Sequence, residues 1–125
     1  MKVGDRAETS RVFGPAEIEE YTAVSGHEPL DERVPEPLIG ALFSYLLGVR
    51  LPGMGTMYLK QETQYPGVGL PGEMIRAEVE ITRLRPDKDL ADLSTTCRGA
   101  DGRLIASGRA LVYIGAVESG RPANG

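Results

Sequence analysis

The chain has 125 residues with 14 basic and 18 acidic side chains, a net charge of −4, which suits one domain with one core and excludes a nucleic-acid or anionic-lipid partner held by bulk electrostatics. Cys97 is the only cysteine, so an intrachain disulfide is excluded and a reducing compartment, the cytoplasm, is expected. Met1-Lys2-Val3-Gly4-Asp5-Arg6 carries no apolar run of the kind a secretory signal needs.

In chain order, Arg6–Phe13 predicts a short edge strand. Gly14-Pro15 then starts a helix whose glutamates 17, 19 and 20 favour its positive N-terminal end and whose stop is Ser25-Gly26. Residues 27–35, His27-Glu28-Pro29-Leu30-Asp31-Glu32-Arg33-Val34-Pro35, form a charged, proline-punctuated loop carrying the chain's one histidine. Function is expected there.

The loop runs into Glu36-Pro37-Leu38-Ile39-Gly40-Ala41-Leu42-Phe43-Ser44-Tyr45-Leu46-Leu47-Gly48, with no charge between Glu36 and Arg50 and apolar residues on every side of a helical projection. Such a helix predicts burial all round, and at about 20 Å it is too short to cross a membrane. Pro37 suits its first turn, Gly48 suits a left-handed end, and Gly40 is expected to admit a neighbouring backbone.

From Thr56 the period changes to two. Met57, Leu59, Gln61, Thr63 and Tyr65 are read as one strand face. Glu73–Leu84 sets Ile75, Ala77, Val79 and Ile81 against a wet face. Leu90–Arg98 points Ala91, Leu93, Thr95 and Cys97 inward, and Arg103–Ile114 points Leu104, Ala106, Gly108, Ala110, Val112 and Ile114 inward. The fold class is therefore α+β: about five long antiparallel strands wrapped around a central buried helix. Residues 1–115 form one domain and 116–125 a flexible tail. A bare sheet edge makes a symmetric dimer a reasonable expectation.

Leu42-Phe43-Ser44-Tyr45-Leu46-Leu47-Gly48-Val49-Arg50-Leu51-Pro52-Gly53-Met54-Gly55 resembles the MaoC-like dehydratases and (R)-specific enoyl-CoA hydratases, a hotdog-fold family. The likeness extends through Gly72-Glu73, Ala77–Ile81, Leu84–Lys88 and the Gly102 hairpin to Val112. It implies a hotdog fold, usually dimeric, acting on short or medium acyl groups held as thioesters to coenzyme A or acyl carrier protein, with no cofactor and no metal. In the family an S-G-D-x-N-P-L-H loop supplies an Asp and a His on either side of the reacting water, and an H-G pair opens the central helix. Here the loop reads Ser25-Gly26-His27-Glu28-Pro29-Leu30-Asp31, one residue shorter, and Pro35-Glu36 stands at the H-G position.

His27 and Asp31 keep the two side-chain types in exchanged order, and are the catalytic candidates: His27 as base, Asp31 orienting it. First-turn N–H groups near Leu38 and Ile39 are expected to hold the thioester oxygen. Ser44, Leu47 and Leu111 fall at positions that line the acyl pocket in hydratases. Cys97 is read as an inert buried thiol. The altered loop keeps two other readings open: a non-catalytic hotdog subunit that pairs with an active dehydratase, and an acyl-CoA thioesterase.

Overall fold

The structure, a computed structural model, describes residues 1–25 and 33–115. The alternating segments form five strands, β1 (Arg6–Val12), β2 (Met57–Gln64), β3 (Met74–Arg85), β4 (Leu90–Arg98) and β5 (Leu104–Tyr113). They build a single antiparallel sheet in the order β1-β3-β4-β5-β2. Two helices accompany it: α1 (Pro15–Ser25) and α2 (Glu36–Tyr45), the second prolonged by a π-type turn over Leu46–Arg50. The proposed tail, 116–125, lies outside the described residues.

One apolar cluster joins α2 to the sheet. Ile39, Leu42, Phe43, Leu46 and Leu47 from the helix side meet Ile75, Ala77, Val79, Ile81, Ala91, Leu93, Cys97, Ala106, Ala110 and Val112 from the strands. Phe13 and Ile18 close the cluster beside β1, and Arg11 ties that edge together by pairing with Glu17 and lying 4.8 Å over the Phe13 ring. The inward residues read from the period of two in β3 and β4 are buried as expected.

Three expectations change. The sheet covers only one side of α2: Pro37, Ala41, Ser44 and Tyr45 form an exposed flank, because one layer of strands cannot enclose a helix, and exposed apolar residues look, in sequence, like core. Gly48 is not a left-handed cap. The backbone there widens, Leu51 N–H donating to the Leu46 carbonyl at 2.8 Å, and the positive-φ glycines of the connector are Gly53, with φ +100°, and Gly55, with φ +94°. Bulges interrupt three strands, at Leu59 in β2, Thr82 in β3 and Ile105 in β5, and the first and last change the side a residue was expected to face. At Leu59 the pairing passes from Tyr58–Val112 to Lys60–Leu111, so Tyr58 turns inward and donates to the Ser44 carbonyl at 2.8 Å, while Gln61 and Thr63 keep the inward side. Between Leu104 and Ala106 the extra residue Ile105 is fully buried, and Leu104 pairs with Arg98 towards the outer face.

The segment from Pro66 to Gly72 is fastened to the β4–β5 hairpin by Glu73. This carboxylate is only 12% exposed; its Oε1 accepts from Ala100 N–H at 2.9 Å, and its Oε2 accepts from Leu70 N–H at 2.6 Å and from the Arg103 guanidinium at 2.5 Å. Burial alone would raise its pKa, but the bonds from Ala100, Leu70 and Arg103 outweigh that and hold it below the usual carboxylate value. A lowered folded value gives stability that is fully present above the unfolded pKa of about 4.3 and is lost as the pH falls through the folded value. Denaturant titrations from pH 7 down to pH 3 should show this acid loss in the wild type, and Glu73→Gln should be less stable at pH 7 by about 1–3 kcal/mol with a flatter acid limb.

Candidate active site

The site is built where the charged loop hands over to α2. Pro35, in extended backbone with φ −56° and ψ 137°, precedes the first helical residue, and Pro37 sits in the first turn, where its missing N–H leaves no bond unmade. Glu36 places an acid at the positive end of the helix. His27 and Asp31 lie outside the described residues, which resume at Arg33.

The remaining candidates separate. Leu38 and Ile39 are together in the first turn, but the Leu38 N–H donates to the Pro35 carbonyl at 3.0 Å. That corrects the expectation of a free donor there: the proline-fixed backbone folds the Pro35 carbonyl back onto it. The Ile39 side chain is buried in the core at 1% exposed. Ser44 lies on the exposed flank of α2, and Leu47 is fully buried beneath the sheet. Leu111 is elsewhere. Its pairing with Asp92 and Lys60 puts it on the outer face, in a depression of about 200 Å³ with Lys60, Glu62, Arg85, Asp92 and Arg109. Within this chain it is not beside Ser44 and Leu47, because residues 110 and 112 take the inward positions of β5.

A residue not singled out in the sequence stands at the site. Tyr65, just past β2, is partly buried against the core and points its hydroxyl at the Glu36 carbonyl, 3.4 Å away. A Cβ added to Gly40 would meet that hydroxyl at 3.6 Å. Gly40 thus makes room for a phenol and not for a second backbone. Burial first, then the Glu36 charge and Cys97, push the Tyr65 pKa up, so at neutral pH it is an O–H donor. The signal was present in the inward run Gln61, Thr63, Tyr65 opposite a helical glycine. Among the described residues, no group of three or more His, Cys, Asp or Glu side chains could hold a metal ion.

Comparison with known proteins places this arrangement. The (R)-hydratase of Aeromonas caviae, described as involved in PHA biosynthesis, superposes with a TM-score of 0.83 at 36% identity, covering 90% of this chain and 96% of that one. The architecture is thus the hotdog fold of hydratases and dehydratases. In sequence, the chain is 37% identical to the (R)-specific enoyl-CoA hydratase of Aeromonas caviae over 91% of its own length and 96% of the relative's. It is 31% identical to the 3-hydroxybutyryl-CoA dehydratase of Methylorubrum extorquens over 93% of its length and 73% of that protein's. No family model matches. On these relatives, the chain belongs to the MaoC-like (R)-specific enoyl-CoA hydratase family.

Cys97 takes no part in the chemistry of the site. It is fully buried on β4, and burial, with a smaller contribution from Glu73, pushes its thiol pKa up to about 12. In the native protein iodoacetamide should therefore leave Cys97 unlabelled at pH 8, with one equivalent incorporated after denaturation; labelling of the native thiol at the rate of a free cysteine would contradict the burial.

Proposed function

We propose that the chain is an (R)-specific enoyl-CoA hydratase, adding water reversibly across the double bond of short or medium trans-2-enoyl thioesters carried by coenzyme A or an acyl carrier protein. The observation that carries the reading is the match of nearly the whole chain, at 37% identity, to a hydratase of almost the same length. Water attacks the β carbon as a base removes its proton. The α carbon then takes a proton, and the negative charge that builds on the thioester oxygen in between must be held by donors.

In this proposal His27 removes the proton from water and Asp31 orients the imidazole. The first turn of α2, around Ile39, faces the thioester oxygen with its positive end, and the Tyr65 hydroxyl adds a donor at the same end of the helix. Ser44 and Leu47 set the acyl side. Coenzyme A or a carrier protein carries the acyl group as a thioester that stays intact through the reaction, the cytoplasm is the setting, and fatty acid metabolism the context. Among the described residues no helix is long and apolar enough to cross a membrane.

The proposed assembly is a homodimer. β2 is an edge strand with seven of its eight residues exposed, among them Met57 and Leu59, and the bare flank of α2 and the turn after it add the exposed side chains of Tyr45 and Val49. An uncovered edge next to an apolar flank is a surface that a second copy would bury by symmetry.

One observation favours a second reading: His27 and Pro35-Glu36 replace the family's Asp and H-G pair, which suits a passive subunit paired with an active dehydratase. Spectrophotometry separates the readings. With crotonyl-CoA, the hydratase should consume the enoyl absorbance without releasing free thiol, and His27→Ala should lower kcat by about 10²–10⁴-fold. Thiol release would indicate a thioesterase, and no change in either signal a passive subunit. Sedimentation should give the mass of a dimer that Ala41→Glu converts to monomer; a monomeric wild type would remove the symmetric pairing.

A further inference from the structure

We propose that Glu73 and Arg103 are positioning residues for the reaction, acting through the 66–72 segment to fix the first turn of α2; the inference rests on the hydratase reading. The two side chains come from separate parts of the chain, Glu73 just before β3 and Arg103 just before β5, and meet at 2.5 Å with exposures of 12% and 32%. What they grip is the loop between them and the helix. The Arg103 guanidinium donates to the Val68 carbonyl at 2.8 Å, and the Leu70 N–H donates to Glu73 Oε2 at 2.6 Å.

The peptide groups on either side of Gly69 are thereby held, and the carbonyl of Gly69 itself is turned the other way. It accepts the Val34 N–H at 2.7 Å. Val34 immediately precedes the turn that starts α2, and a Cβ on Gly69 would stand 3.5 Å from both the Val34 Cβ and the Ile39 Cδ1. One ion pair, two loop bonds and one backbone bond thus connect the β4–β5 hairpin to the residues that aim the helix end at the thioester.

The surroundings leave little slack in this strut. A Cβ on Gly99 would fall 2.7 Å from both Arg103 and Glu73 atoms, and one on Gly67 would fall 2.2 Å from the Leu104 carbonyl. The hairpin and the loop therefore approach as closely as glycine permits. Asp101 accepts from the other arm of the Arg103 fork at 2.9 Å, which fixes the guanidinium plane. A fork that divides its two arms between Glu73 and Asp101 gives orientation as well as attraction, and Lys at 103 would keep the charge without the fork.

A shift of the helix end by a fraction of an ångström weakens interactions made in the transition state more than those made in the ground state. The signature is a fall in kcat with KM nearly unchanged. The experiment compares wild type, Glu73→Gln and Arg103→Lys in crotonyl-CoA hydration, with amide hydrogen exchange read at Val34 and, as internal control, at Ile81 in the middle of β3. The expected result for Glu73→Gln is a kcat at least tenfold lower, KM within about twofold, and an acceleration of Val34 exchange at least tenfold greater than that of Ile81, which follows the global loss of stability. Arg103→Lys should shift the same quantities in the same directions by less, and serves alone if Glu73→Gln does not fold. A wild-type level of kcat in a folded variant, or Val34 exchange that rises no more than that of Ile81, overturns the inference while leaving the hydratase reading intact. A wild type that does not hydrate crotonyl-CoA overturns that reading instead, together with the catalytic role drawn here.

Discussion

A five-stranded sheet can bury one side of a helix, and the rest of this structure depends on that constraint. Ile39, Leu42, Phe43, Leu46 and Leu47 are held in the core, with small residues such as Ala77, Ala106 and Ala110 on the opposing strands letting the helix sit close. The opposite flank, with Ala41, Ser44 and Tyr45, is left facing out beside an unpaired strand edge. The helix therefore has one rigid face and one free face. A rigid face holds the position of the helix end, and the free face is the surface to which the proposed pairing with a second copy is assigned.

Rigidity is delivered to the chemical end from several directions. Tyr65 reaches the Glu36 carbonyl over Gly40, Gly69 holds Val34, and the Pro35 carbonyl is closed onto Leu38. Each contact is modest, a net 0.5–1.5 kcal/mol or so for a typical hydrogen bond. Their value to a hydratase is geometric, since donors fixed before the reaction need no rearrangement as charge appears on the thioester oxygen. Glu73 shows how this is maintained in a polar environment: three donors around one carboxylate outweigh the cost of its burial.

The strands were legible because burial on one face imposes a period of two, and α2 because Pro35-Glu36-Pro37 marks a start and no charge interrupts the run from there to Arg50. Errors clustered where a non-local pairing decides. The bulges at Leu59 and Ile105 depend on the neighbouring strand, so the local alternation gave Tyr58 and Leu104 the wrong side. The free flank of α2 could not be told from core, because Ala41 and Tyr45 are as apolar as Phe43. At the site, residue types suggested His27 and Asp31, but the engaged N–H of Leu38, the phenol over Gly40 and the outward turn of Leu111 arise from backbone geometry that no local pattern carries.

In the proposed mechanism a thioester is held by its oxygen at one helix end, with the activating loop joined to that same end, and so receives water on only one face of its planar enoyl group. The handedness of the product therefore reads the arrangement directly. Chiral separation of the 3-hydroxybutyryl-CoA formed from crotonyl-CoA should give the R enantiomer alone. A racemic product, or the S enantiomer, would contradict the account.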